Sequence, residues 1–185
     1  MQTFKFSPVM RALAVCIGTL ALATGSHAAG DKTAYESAKT TAKSTFEAAK
    51  GKCDAMNGNA KDVCVAEAKA ARTRTDADAE AAYKNTPKAR EHAVREIAEA
   101  DYQVAKERCD DRTGNDKDVC VKVAKAALVR AKADSKATRV STSAKMDASK
   151  DKREADYKVA AEKCDAMTGD AKGACVKAAK AKYGM

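Results

Sequence analysis

Tryptophan is missing from this 185-residue chain, and only two prolines, two histidines, three phenylalanines and five tyrosines are present. Scarce aromatics leave nothing from which to build a thick aromatic core or a row of base-stacking platforms. With so little proline, almost nothing interrupts a long helix. Two histidines do not make a histidine-rich metal site. The sequence also holds no G-x-S-x-G, no phosphate-binding glycine loop and no H-E-x-x-H, so no enzyme class is indicated and no cofactor is expected. What is abundant is alanine and lysine. The 45% hydrophobic content comes mostly from alanine, charged residues make up 33%, and the formal net charge is +9. Sparse large apolar residues with high net charge are a signature of disorder. Alanine with interleaved Lys, Glu and Arg points instead to long helices, and the near absence of proline decides for helix.

The one long apolar run lies at the start. "MQTFKFSPVMR" is a short basic segment, "ALAVCIGTLALA" (residues 12–23) is apolar, and "TGSHA" puts Ser26 and Ala28 at the small-residue positions of a signal-peptidase site. This pattern predicts a secretory signal over residues 1–28, cleaved after about Ala28, and a periplasmic protein. The valine before Cys16 and the lack of apolar sequence ahead of it argue against a lipoprotein. Losing Lys5, Arg11 and Cys16 lowers the net charge to +7 and leaves six cysteines. An even count in an exported chain reads as a disulfide framework. No later segment is apolar enough to span a membrane.

Self-similarity is the strongest signal. "CDAMNGNAKDVC" (Cys53 to Cys64), "CDDRTGNDKDVC" (Cys109 to Cys120) and "CDAMTGDAKGAC" (Cys164 to Cys175) recur with periods of 56 and 55 residues. Each is preceded by an aromatic seven residues back (Phe46, Tyr102, Tyr157) and an alanine four back (Ala49, Ala105, Ala160). Each is followed by valine (Val65, Val121, Val176) and then Ala-Lys-Ala. Offsets of −7, −4 and 0 share one helix face. Gly58, Gly114 and Gly169 suit a left-handed hairpin turn closing the first helix. Asn59, Asn115 and Asp170 then read as N-caps, and Asp62 and Asp118 suit the positive start of the second helix, where the third repeat has Gly173. Each unit is therefore helix, turn, helix, with a cysteine about one turn from the corner on either side.

Two breaks are expected between units. Thr86 as N-cap and Pro87 at the first helical position form one. "TRVSTSAK" (138–145), rich in β-branched and hydroxyl residues, suggests the other. The expected division is a hairpin over 29–86, a second over 87–140 and a third over 141–185. This is an all-α chain of about six helices of 20–27 residues, each roughly 30–40 Å long, packed as a thin bundle or in file. Val94, Ile97, Val123 and Leu128 form its best apolar stripes.

For the cysteine pairs, three chemistries compete. Facing alanines permit the close approach that a disulfide needs, and closing a loop of about 12 residues stabilises a hairpin by roughly 3 kcal/mol. A structural zinc site wants C-x2–4-C pairs and four ligands. Here the spacing is C-x10-C, and His92 sits alone on a charged face. Redox enzymes carry C-x-x-C at a helix start. The spacing favours staples within each repeat, with no metal ligands and no catalytic residues. The lysine excess allows weak association with polyanions such as lipopolysaccharide. Mixed charge and the core placement of three of the six available aromatics argue against specific nucleic-acid binding.

The tail "ADYKVAAEKCDAMTGDAKGACVKAAKAKYG", and the repeat it belongs to, resembles a family of small exported proteins of Gram-negative bacteria labelled "cell envelope biogenesis protein TolA" or TolA-like. The resemblance covers nearly all of the chain after the signal, including all three cysteine pairs. What it shares with TolA itself is the Ala/Lys-rich helical composition. It implies a non-enzymatic role in the cell envelope with other envelope proteins as partners.

Overall fold

In the computed structural model, which describes residues 30–185, five α-helices follow one another: α1 (Lys32–Cys53), α2 (Gly58–Lys84), α3 (Pro87–Cys109), α4 (Gly114–Asp165) and α5 (Gly169–Tyr183). The expected signal segment, with Cys16, lies outside the described residues. Helix contacts join only sequence neighbours, α1 to α2, α2 to α3, α3 to α4 and α4 to α5. The first two hairpins pack side by side through α2 and α3, and the third is joined to them through α4 alone. Every described helix is too short or too polar to cross a membrane.

Alanine sets the packing. Ala42, Ala68, Ala70, Ala77, Ala89, Ala93, Ala124 and Ala179 are buried, with Val104 and three cysteines the only larger apolar side chains among them. Small side chains let helix axes approach closely but contribute little apolar area each. Ion pairs then span the seams. Arg74 donates two hydrogen bonds to Asp101 (2.8 and 3.0 Å) and Arg108 reaches Glu67 between α2 and α3. Lys132 meets Glu99 (2.7 Å), and Arg139 meets Glu91, between α3 and α4. The free end of the first hairpin is closed by Gly30, whose N–H donates to the Tyr83 carbonyl (3.1 Å), and by Tyr35 stacked on Tyr83 at 5.0 Å.

Thr86 and Pro87 break the chain as the sequence predicts. Thr86 accepts a hydrogen bond from the Ala89 N–H, and Asn85 before it takes a left-handed conformation (φ 45°). The second expected break, over 138–145, is absent: α4 runs through it for 52 residues, about 78 Å at the helical rise. Five helices therefore make the three hairpins, with α4 serving as second arm of one and first arm of the next. Local propensity loses here to tertiary contact. Arg139 is held by Glu91, and Ser135 is buried against α3 with its hydroxyl bonded back to the Lys132 carbonyl. Serine and threonine tolerate helix once such bonds are available.

The expected apolar stripes divide. Ile97, in phase with Ala93 and Val104, is half-buried on the α2 side of α3, and Leu128 is half-buried on α4. Val94 and Val123 are 44% and 60% exposed, Val94 at the rim of the α3–α4 groove. The side of α4 that meets α3 carries Ala124, Leu128, Ser135 and Arg139, and the side that meets α5 carries Ala160 and Cys164, with Asp156 and Val159 at its rim. At 3.6 residues per turn these are the same side, so α3 and α5 lie along one face of α4. Between them, residues 144–153 are exposed at every position.

The cysteine corners as candidate functional site

Each corner is built the same way three times. The first helix ends at the first cysteine (Cys53, Cys109) or one residue past it (Asp165), and the chain turns with N–H groups bonding back to the last carbonyls. Met56 donates to the Cys53 carbonyl at 2.9 Å, Arg112 to Cys109 at 3.0 Å and Met167 to Cys164 at 3.0 Å. An extended residue follows (Asn57, Thr113, Thr168), and then glycine at φ 58°, 54° and 58°. The glycine is left-handed as expected, but it opens the second helix where the sequence suggested that it closes the first. Asn59, Asn115 and Asp170 consequently lie inside the first turn. The extended residues before the glycines hold the cap position, without a side-chain cap bond. The physical reason is that right-handed backbone continues through Asp54 and Asp110, so the reversal of hand is needed only where the chain re-enters a helix.

Space around these glycines is open, so only the backbone resists a side chain there. Gly114→Ala is expected to destabilise the second hairpin by about 1–2 kcal/mol, the cost of left-handed backbone with a Cβ. Gly51→Ala, in the body of α1 with nothing near its Cβ position, is expected to be neutral or stabilising. Thermal melts of the two variants check this pair.

The cysteines bond within each hairpin: Cys53–Cys64, Cys109–Cys120 and Cys164–Cys175, with Cα atoms 5.6, 5.7 and 5.7 Å apart. The first cysteine of each pair is the most deeply buried side chain of its repeat, and the second is half-buried. Exchange with an external thiolate needs access to a sulfur. Burial of Cys53, Cys109 and Cys164 leaves attack only through the partner sulfur. With the aromatic and alanine of the upstream helix beside them, half-buried at Phe46, Tyr102 and Tyr157 and at Ala49, Ala105 and Ala160, the bridges are the thickest part of a thin core.

An ion pair that sequence reasoning passed over braces every corner. The aspartate after the first cysteine meets a lysine seven residues on: Asp54 with Lys61 (3.2 Å), Asp110 with Lys117 (2.8 Å) and Asp165 with Lys172 (2.9 Å). The signal was present, since a lysine stands eight residues after the first cysteine in all three repeats. It stays hidden until the turn folds Asp and Lys together. In the middle corner the hydrogen bond from Lys117 lowers the Asp110 carboxyl pKa and raises that of the Lys117 ammonium. The stabilising effect of the aspartate is present above the ordinary carboxylate range and lost as pH falls through its depressed pKa. That of the lysine is lost as pH rises through its elevated one. Both groups lie at the surface, where such pairs contribute little.

Comparison with known proteins finds no matching family model, no matching curated protein and no matching solved structure. Functional reading therefore rests on the corners and faces themselves. Among the described residues no three His, Cys, Asp or Glu side chains cluster as metal ligands. His92 is exposed and paired with Glu96 (3.3 Å) one turn along α3. The grooves between helices are shallow and lined by alanine and alternating charges. As built, each corner holds two helices at fixed distance for as long as its bridge stays oxidised.

Proposed function

We propose that this chain is a non-enzymatic structural and interaction protein of the bacterial cell envelope, exported to the periplasm by residues 1–28 and related to the TolA-like proteins its repeat resembles. The observation that carries this reading is the staple itself, repeated three times. A disulfide is useful where glutathione and thioredoxin do not keep thiols reduced, which supports a location outside the cytosol. Helices joined in file expose much surface relative to their core, the shape of a protein that presents faces to partners. Other envelope proteins are the partners this reading favours.

Photo-crosslinking in the periplasm of the host, followed by identification of the captured proteins and of the chain's own N-terminus, tests it. The expected result is a chain cut near Ala28, recovered in the periplasmic fraction and joined to envelope proteins. An uncut chain held in the cytoplasm with all seven thiols free would overturn it. Retention on lipopolysaccharide, weakening steeply with salt and without protein capture, would assign the polyanion-binding role in its place.

A further inference from the structure

The repeat places two interfaces in register, and only one of them is made. A step of 56 residues carries α2 onto the first half of α4, and a step of 55 carries α3 onto its second half. Across the α2–α3 seam Ala70 (8% exposed), Ala77 (3%), Ala93 (4%) and Val104 (8%) are buried. The steps take them to Ala126, Ala133, Ala148 and Val159, the same residue type each time. Arg74 and Asp101, ion-paired across that seam at 2.8 Å, become Arg130 and Asp156. Identity is kept and burial is not. Ala126, Ala133 and Ala148 are exposed, and Val159 is 58% exposed. Among the described residues neither Arg130 nor Asp156 forms an ion pair. The contrast is specific to this seam, because the alanine that faces inward within each hairpin is buried in all three repeats (Ala68, Ala124, Ala179).

We propose that a second copy of the chain covers this face, two α4 helices lying antiparallel about a two-fold axis near Ser143, midway between Arg130 and Asp156. The first half of each α4 packs on the second half of the other as α2 packs on α3. Arg130 of each copy then meets Asp156 of its mate, twice. Such a contact is isologous, the usual form of a closed dimer. Room is available: Ala126, Arg130, Ala133, Ala148, Asp156 and Val159 are all exposed in the single chain, Asp156 and Val159 at the rim of the α4–α5 groove.

The chain's own third hairpin is the competing occupant, and it would have to fold back through a break at 141–143. At the equivalent corner the first repeat spends a left-handed asparagine, an N-cap threonine and a proline. The second period is one residue shorter, and Ser141-Thr142-Ser143 supplies neither the proline nor the left-handed residue. Arg139, pinned to Glu91, keeps the segment helical against α3. A straight α4 presents both complementary halves to solvent at once, which suits a mate and not itself. Not every residue of the seam is repeated: Glu67 and Arg108 give way to Val123 and Lys163, Ile97 to Lys152, and the groove-lining Thr73 and Gln103 to Val129 and Lys158. Dimerisation of this kind is independent of the compartment in which the protein works.

Sedimentation equilibrium of the purified, oxidised protein tests the contact. A concentration-dependent mass reaching twice that of the chain is expected. Arg130→Asp alone and Asp156→Arg alone are each expected to weaken association tenfold or more, because the two-fold axis applies each reversal twice. Both residues are exposed in the single chain, so unchanged helicity by circular dichroism should accompany the loss. An equimolar mixture of the two single variants is expected to recover the dimer, since each copy then offers the charge the other needs. A wild-type chain that stays monomeric at about 100 μM overturns the proposal. So does a mixture that recovers nothing, or a compact monomer restored only when both reversals sit in one chain.

Discussion

Replacing Cys164 and Cys175 together by serine is expected to release α5, while α1 to α4 keep their helicity. The third hairpin has the least else to hold it. Its second helix is only 15 residues long, buries one alanine (Ala179) and touches nothing but the end of α4. An isolated helix of that length is marginal in water, and Gly173 in its interior costs about 1 kcal/mol against alanine. The cross-link contributes roughly 3 kcal/mol by restricting the open chain, more than so small a seam supplies. The first hairpin differs. There the Gly30–Tyr83 hydrogen bond and the Tyr35–Tyr83 stack close the far end, and α3 supports α2 from its other side. Serine at Cys53 and Cys64 should therefore lower the melting temperature without detaching α1. Hydrogen exchange followed by mass spectrometry reads both outcomes. Amides over 169–183 should lose protection in the third-corner variant and amides over 32–53 should keep theirs in the first. Full protection of α5 without its bridge would show that packing alone holds it.

Much of this architecture is written plainly in the chain. The helical class follows from alanine, lysine and the shortage of proline, and the pairing of cysteines follows from a spacing that repeats three times. The break at Thr86-Pro87 is legible because proline and threonine impose it locally. Continuity of α4 is not legible, because Thr138 to Ser143 prefer other backbones and the decision falls to Glu91, some 48 residues away in sequence. Val94 and Val123 belong to the apolar stripes the sequence displays. Both are exposed, at 44% and 60%, whereas Val104 fills the α2–α3 seam, so residue type alone does not separate seam from flank. The Asp–Lys braces were missed for another reason: two charged residues seven apart face each other only when a turn lies between them.

Asp147→Pro is expected to cut the protein mechanically in two, and the reason lies in where α4 has no neighbour. From residue 144 to 153 every side chain is exposed, so nothing but the helix's own ladder carries the third hairpin. Local support is modest, an i to i+4 pair of Lys150 with Glu154 (3.5 Å) and a hydrogen bond from Arg153 to Ser149 (3.0 Å). Proline removes one rung and clashes with the preceding turn, costing about 3 kcal/mol or more. In a buried helix tertiary contacts would offset part of that; within the single chain none exist here, so at concentrations where the chain is monomeric the surrounding turns should fray. Intrinsic propensity, elsewhere a weak prior, becomes the deciding quantity in this segment. Asp147→Ala should accordingly strengthen it, and Asp147→Gly should weaken it by a fraction of the proline effect. Limited trypsin digestion checks the series, because Lys145, Lys150, Lys152 and Arg153 lie in the stretch. Cleavage there should accelerate in the order Ala, wild type, Gly, Pro, while the stapled hairpins on either side survive as fragments. Equal cleavage rates across the four proteins would mean that something beyond the helix ladder holds the segment, and the picture of a bare beam between two stapled bodies would fall.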